Sequence, residues 1–149
     1  VLTLNSITAQ VIGDGLHVHP AVVRLLFRAK GPEGVALVSD AAPLAGLPEG
    51  VYEWEHKPVV VADGACRLEN GTLAGAHALL DTGLRTLVRT VGLTPCQALT
   101  AAAATPAAVL GLRKGRLAPG YDADVLLLDD GLRPVRTFVH GLEAYARGD

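Results

Sequence analysis

Two apolar stretches, ITAQVIGDGLHV from Ile7 to Val18 and VALVSDA from Val35 to Ala41, share one pattern. Each is an apolar run that ends in polar side chains, which is typical of a buried strand in a parallel sheet. A helix is predicted between them from Pro20 to Lys30, because proline suits a first helical turn and Gly31-Pro32 ends the apolar periodicity. Strand, helix, strand is the βα pattern of a parallel sheet, which carries its chemistry at the carboxyl ends of its strands.

The rest of the chain predicts mixed structure. Asp63-Gly64 lies between β-rich runs and predicts a hairpin turn, and Asn70-Gly71 predicts a second turn. A helix is then predicted to about Val91, followed by helices that begin at the threonine-proline pairs Thr94-Pro95 and Thr105-Pro106. From Gly115 onward the pattern predicts strands, with turns at Pro119-Gly120 and His140-Gly141.

Composition limits the classes of protein to which the chain can belong. Of its 149 residues, 50% are hydrophobic and 19% charged, which predicts a folded rather than a disordered chain. The net charge of −2 comes from well-mixed charges, so we expect neither nucleic acid nor a membrane surface as a partner. No apolar run is long enough to span a bilayer, and we expect a soluble, cytoplasmic protein. The cysteines, Cys66 and Cys96, match no metal or redox spacing and are expected to be small core residues.

Several polar residues are candidates for chemistry. Asp40 ends an apolar strand, where an α/β enzyme places an acid, a base or a metal ligand, although an aspartate that caps a turn would fit the same position. His17 and His19 share one side of a predicted strand, so they could form a metal pair or be one hydrogen-bonded and one solvent-exposed histidine. Zinc requires at least three protein ligands, and no third is evident. His56, His77 and His140 are expected to be structural or exposed, as are Arg24 and Arg28 on the helix.

Five blocks of sequence together resemble the N-acetylglucosamine-6-phosphate deacetylases of the metal-dependent amidohydrolase superfamily. They are DGLHVHP at 14–20, LVSDA at 37–41, NGTLAG at 70–75, TPAAVLGL at 105–112 and GRLAPGYDADVLLLD at 115–129. Their order follows the C-terminal portion of that family over nearly the whole chain. The resemblance implies an α/β fold: the C-terminal part of a (β/α)₈ barrel in residues 1–112, with an inserted hairpin at about 51–70. Residues 113–149 would be returning strands of a small β-sandwich.

The same resemblance implies site residues. Asp40 matches the family's catalytic aspartate, which exchanges a proton with the attacking water and the departing amine. Asp14, Gly15, Leu16 and His17 match a substrate-binding stretch, and Leu73, Ala74 and Gly75 match a loop that closes over the sugar. The family's divalent metal, of the zinc or iron class, is held by a glutamate and two histidines that have no counterpart here. The chain therefore supplies no metal ligand, unless Asp40 also ligates.

The implied reaction is deacetylation of N-acetylglucosamine 6-phosphate to glucosamine 6-phosphate and acetate. The implied partners are this phosphorylated amino sugar, the N-terminal remainder of the enzyme and a second copy in a homodimer. We expect the 149-residue chain to be inactive when isolated, because its metal ligands lie elsewhere. Two alternatives stay open: another cyclic-amide hydrolase, similar to dihydroorotase or hydantoinase, and a non-catalytic remnant that binds without turnover.

Overall fold

The computed structural model describes residues 1–148; Asp149, the last residue of the predicted C-terminal segment, lies outside the described residues. The strands are β1 (Ala9–Ile12), β2 (Val35–Val38), β3 (Gly50–Trp54), β4 (Lys57–Ala62), β5 (Ala65–Leu68), β6 (Leu73–Ala76), β7 (Val125–Leu128), β8 (Pro134–Val139) and β9 (Leu142–Ala146). The α-helices are α1 (Pro20–Lys30), α2 (Leu80–Thr86), α3 (Pro95–Leu99) and α4 (Thr105–Val109). A 3₁₀ turn covers Pro32–Gly34, and π-helical turns cover Leu87–Val91 and Thr100–Ala104.

The predicted strand–helix–strand unit is confirmed. β1 and β2 pair in parallel, from Ala9 opposite Val35 to Ile12 opposite Val38, and α1 occupies the predicted range. β1 is shorter than predicted, because the chain turns at Asp14, whose carboxylate accepts hydrogen bonds from backbone N–H groups that follow it. The carboxyl ends of β1 and β2 therefore lie side by side at one edge of the sheet.

The main core lies between the parallel strands and the helices. Its buried residues are Val11, Val23, Phe27, Val35, Leu37, Leu84, Leu87, Val91, Ala98 and Ala101. Arg24 is exposed, as its helical position predicts, but it also has a structural role. Its guanidinium donates hydrogen bonds of 2.7 Å to the carbonyl oxygens of Val91 and Thr90, where the helix that follows β6 ends. Unpaired carbonyls at a helix end need such donors, which the local sequence of α1 does not reveal.

The helix that begins after Thr94 is continuous, so the predicted second start at Thr105-Pro106 is wrong. The backbone is helical at Ala104 and Thr105, and a π-helical turn joins α3 to α4. Thr105 does not cap a helix; its hydroxyl donates a hydrogen bond of 2.9 Å to the carbonyl of Pro32. At Thr94, by contrast, the predicted cap is confirmed, with reciprocal hydrogen bonds to Gln97.

A four-stranded antiparallel sheet, in the order β3-β4-β5-β6, follows β2. The predicted hairpin at Asp63-Gly64 is confirmed, because Ala62 pairs with Ala65 across it. Strand β6 lies where the start of a helix was predicted. This sheet has its own small core of Ala42, Leu44, Val59, Val61 and Cys66. Cys66 is buried as expected, but Cys96 is exposed on the first turn of α3, so the prediction of a core residue is wrong there.

The C-terminal segment forms a three-stranded antiparallel sheet in the order β7-β8-β9. Leu128 and Leu132 pack against the main core, whereas Leu126, Leu127 and Leu142 are exposed. Within residues 1–148, no helix is both long enough and apolar enough to cross a membrane.

Candidate functional site

The carboxyl ends of β1, β2 and β6 bring together three segments that are far apart in sequence. Asp14 and His17 follow β1, Asp40 follows β2, and Gly75 lies on β6 beside the backbone of Asp40. We call Asp14, His17, Asp40 and Gly75 the strand-end site. Each of these residues belongs to the set that sequence reasoning selected, and the fold brings them together at the edge where a parallel sheet carries its chemistry.

Asp14 holds the turn after β1. Its Oδ1 accepts hydrogen bonds from the backbone N–H groups of Leu16 (2.9 Å) and His17 (3.0 Å), and its Oδ2 lies 2.7 Å from Nδ1 of the His17 ring. Its side chain is only 4% exposed. Burial raises the pKa of Asp14, but the hydrogen bonds from His17 and Leu16 outweigh it, so the pKa lies below its ordinary value. Asp14 is therefore an ionised carboxylate at neutral pH.

Asp40 is the exposed carboxylate of the strand-end site. Its side chain is 56% exposed, and Oδ2 lies 3.7 Å from Nε2 of His17, on the side of the ring opposite Asp14. Its backbone has a φ of +53°, in the left-handed region that non-glycine residues seldom adopt. Such conformations persist where the surrounding structure enforces them, and they cluster at functional sites.

Strand β6 enforces the conformation of the Asp40 segment. The backbone N–H of Ala76 donates to the carbonyl of Asp40, and that of Ala42 donates to the carbonyl of Ala76, both at 2.9 Å. Gly75 makes this approach possible. A Cβ at position 75 would lie 3.1 Å from Cβ of Ala42 and 3.2 Å from the carbonyl oxygen of Asp40.

The remaining predicted residues surround this site. Gly15 has a φ of +83° and packs near the methyl group of Thr86, whereas the side chain of Leu16 is exposed beside the hairpin turn. Leu73 and Ala74 are both half-buried, and Ala74 packs against the core of the four-stranded sheet. Sequence reasoning missed Ala76, which acts only through its backbone and so carries no signal in its residue type.

The described residues do not form a complete metal site. Within residues 1–148, no three histidine, cysteine, aspartate or glutamate side chains lie close enough together to hold an ion. His19 is not paired with His17, because its Nδ1 accepts a hydrogen bond from the N–H of Ala21 and so caps α1. Asp40 and His17 present one oxygen and one nitrogen at this edge, fewer than the three protein ligands that zinc needs.

Comparison with known proteins places this geometry in context. A family model described as "Amidohydrolase family" matches residues 3–145. A cattle (Bos taurus) N-acetylglucosamine-6-phosphate deacetylase is 41% identical over 135 residues, which are 88% of this chain and 32% of that protein. A provisionally named N-acetylgalactosamine-6-phosphate deacetylase of Escherichia coli strain K12 is 36% identical over 134 residues, which are 89% of this chain and 80% of that protein.

Solved structures show the same similarity to deacetylases. The N-acetylglucosamine-6-phosphate deacetylase of Thermotoga maritima superposes with a TM-score of 0.90 at 31% identity, covering 98% of this chain and 40% of that one. This match confirms the expected fold, part of a barrel with additional β-strands. The chain spans about a third of the length of the cattle relative.

Proposed function

Because the chain belongs to the amidohydrolase family, we propose that it forms the C-terminal part of an enzyme that deacetylates a 6-phosphorylated N-acetyl amino sugar. The observation that carries the proposal is the strand-end site, where Asp40 lies 3.7 Å from His17 in a chain 41% identical to the cattle deacetylase. The reaction adds water across the acetamide C–N bond and releases acetate and the free amino sugar. The whole reaction requires residues that this chain lacks.

Asp40 is the proton carrier in this proposal. Its carboxylate is 56% exposed, so it can take a proton from the attacking water. The nitrogen of the departing amide needs a proton to leave as an amine, and the same carboxyl can deliver it. The proton taken from water is thus passed to the amine nitrogen, and Asp40 ends each turnover as the carboxylate with which it began.

His17, next to Asp40, is the substrate-binding residue in this proposal. Its ring is 15% exposed and presents Nε2 toward the exposed carboxylate of Asp40, so a polar group bound beside Asp40 could reach it. Leu16 is exposed beside it, and the glycine at position 15 lets the backbone approach a ligand. We assign Gly15, Leu16 and His17, together with Leu73–Gly75, to contact with the sugar.

Amidohydrolases generally use a divalent metal, and we propose one of the zinc or iron class for the complete enzyme. Because both oxygens of Asp14 already have partners, we propose that Asp40 contributes the oxygen ligand from the strand-end site, with the other ligands supplied by the rest of the barrel. When bound, such an ion polarises the acetamide carbonyl and activates water. In this proposal the complete enzyme also has an N-terminal portion. We propose that it is a cytoplasmic homodimer, as the sequence predicts.

A second sugar has specific support. The Escherichia coli relative, of which this chain covers 80%, is named for N-acetylgalactosamine 6-phosphate rather than its glucosamine epimer. The two sugars differ only in the orientation of one hydroxyl group, so the same acetamide chemistry serves both. Choice between them depends on hydrogen bonds to that hydroxyl, since unpaired buried polar groups are costly.

The test is acetate release by the complete, metal-loaded enzyme, with the two N-acetylated sugar phosphates, dihydroorotate and hydantoin as separate substrates. Our proposal predicts acetate from one or both sugar phosphates and no ring opening of the cyclic amides. Ring opening without acetate release would favour the cyclic-amide alternative. Binding of a sugar phosphate without turnover by a metal-loaded enzyme would favour the non-catalytic alternative.

A further inference from the structure

Asp14 differs from the other residues of the predicted substrate-binding stretch. Its carboxylate is almost fully shielded, with 4% of the side chain exposed, and each of its oxygens already has a partner within its own turn. A bound sugar would have to displace those partners to reach it. The position of Asp14 therefore suits a role behind the site better than contact with a ligand.

The contact of Asp14 with His17 specifies which ring nitrogen carries the proton. An ionised carboxylate has no proton to donate, so Nδ1 of His17 must be the donor in the 2.7 Å hydrogen bond to Oδ2. The two backbone hydrogen bonds to Oδ1 prevent the carboxylate from rotating away. In the neutral ring, Nε2 is then left with its lone pair on the side that faces Asp40.

We propose that Asp14 is a positioning residue, which fixes the His17 ring in its Nδ1–H form with Nε2 directed toward Asp40, and does not itself touch the substrate. Nε2 then accepts a hydrogen bond from an N–H or O–H group of the ligand. This inference rests on the proposed deacetylation for its kinetic consequence, but the state of the His17 ring is a property of the protein without substrate.

Asp14 and Asp40 differ in exposure and in their distance to His17, so Asp14 is suited to positioning the ring and Asp40 to contact with a ligand. Asp14 is 4% exposed and hydrogen-bonded on both oxygens, whereas Asp40 is 56% exposed and its distance to His17, 3.7 Å, exceeds a hydrogen bond. Asp14 is therefore hydrogen-bonded to the His17 ring, whereas Asp40 is not. A ligand group can approach Nε2 of His17 from the exposed side that carries Asp40, whereas Asp14 already occupies Nδ1.

The first experiment needs no variant. In the complete enzyme labelled with ¹⁵N-histidine, the two ring nitrogens of His17 give distinct shifts for the protonated and unprotonated atom, and His17→Gln identifies the signals. We expect the Nδ1–H form in the absence of substrate. Observation of the Nε2–H form in the wild-type enzyme would overturn the proposal, whether or not any variant folds.

The second experiment uses Asp14→Asn. The asparagine oxygen can still accept the two backbone hydrogen bonds, but its NH₂ group now faces Nδ1 and favours the opposite ring form. We expect the ring to switch to the Nε2–H form and kcat to fall by about 10²-fold or more, with KM changed by less than about threefold. The reason is that a histidine protonated on the wrong nitrogen lowers the rate even when the geometry of the site is unchanged. A rise in KM with kcat and the ring form unchanged would show direct substrate contact and overturn the proposal.

Asp129→Asn is the matched control. Asp129 also accepts a backbone hydrogen bond on Oδ1, from the N–H of Arg133, and a side-chain hydrogen bond on Oδ2, from Arg147, but it lies in the turn between β7 and β8. This variant should leave the His17 ring form and kcat unchanged. An equal loss of kcat in both variants, with no change of ring form, would show a merely structural role for Asp14. If the wild-type enzyme showed the Nδ1–H form but deacetylated neither sugar phosphate, the proposed function would fail and the positioning role would stand.

Discussion

The backbone carbonyl of Asp40 accepts a hydrogen bond of 2.9 Å from the N–H of Ala76, so the candidate catalytic residue is held by a strand that lies 36 positions further along the chain. The neighbouring Gly75 has a φ of +108° and sits against the same carbonyl. This contact ties the loop proposed to cover the sugar to the residue proposed to move the proton. Disturbing one should therefore disturb the other.

We expect Gly75→Ala to lower both stability and turnover. A Cβ at this position would crowd Ala42 and the carbonyl of Asp40 at 3.1 and 3.2 Å, in a backbone conformation that disfavours a side chain. The cost should be about 1–3 kcal/mol in free energy of unfolding, and kcat should fall as Asp40 shifts. Gly71→Ala is the control, because Gly71 has a φ of +83° but nothing within 4 Å of a Cβ. Urea unfolding and steady-state kinetics compare the two; equal kcat in both variants would contradict the coupling.

We expect Asp40→Asn to reduce kcat by about 10²–10⁴-fold with the fold retained, because an amide can neither take nor deliver the proton. Asp63→Asn is a control with a similar backbone: Asp63 is exposed at the hairpin turn with a φ of +51°, close to the +53° of Asp40. Acetate release and circular dichroism are the measurements. Near-normal turnover by Asp40→Asn would remove Asp40 from the mechanism.

The contribution of Asp14 to stability should depend on pH. Because its pKa in the folded protein lies below the unfolded value of 3.8, the carboxylate stabilises the fold above that value, and the contribution is lost as pH falls through the folded pKa. The difference in unfolding free energy between wild type and Asp14→Asn should thus be constant near neutral pH and shrink in acid. Val23→Ala, a cavity variant in the buried core, should give a difference that does not change with pH. A difference for Asp14→Asn that grows in acid would contradict the assignment.

The isolated chain should bind no stoichiometric zinc. Within residues 1–148 the donors do not reach the three that a zinc site requires, so the ion should appear only when the remainder of the barrel is present. Metal analysis after dialysis distinguishes the isolated chain from the complete enzyme. One equivalent of tightly held zinc in the isolated chain would contradict this division of ligands.

Sequence reasoning could place the local elements because their signals are local. Pro20, with apolar residues at helical spacing after it, was sufficient to predict α1, and Asp63-Gly64 was sufficient to predict the hairpin. Asp40 and His17 were found because each ends a predicted strand, and parallel strands meet at one edge. Their roles, unlike their positions, came from the resemblance and stay predictions.

What the sequence could not supply depends on distant contacts. Strand β6 is the short run LAGA, without polar–apolar alternation, and its backbone pairs with β5 and with the segment at Asp40. Pro106 suggested a new helix, but the π-helical turn before it lets the chain continue. The hydrogen bond that Arg24 donates to the carbonyl of Val91 also depends on a distant contact, because Val91 lies at the end of another helix and nothing in the sequence of α1 indicates it.

The measurement that tests the central claim most directly is acetate release from N-acetylglucosamine 6-phosphate by the complete, metal-loaded enzyme and by its Asp40→Asn variant. Our account predicts acetate and glucosamine 6-phosphate in equal amounts from the wild type, and a loss of about 10²-fold or more in the variant. An enzyme that is folded and metal-loaded but releases no acetate from this sugar or its galactosamine epimer would contradict it.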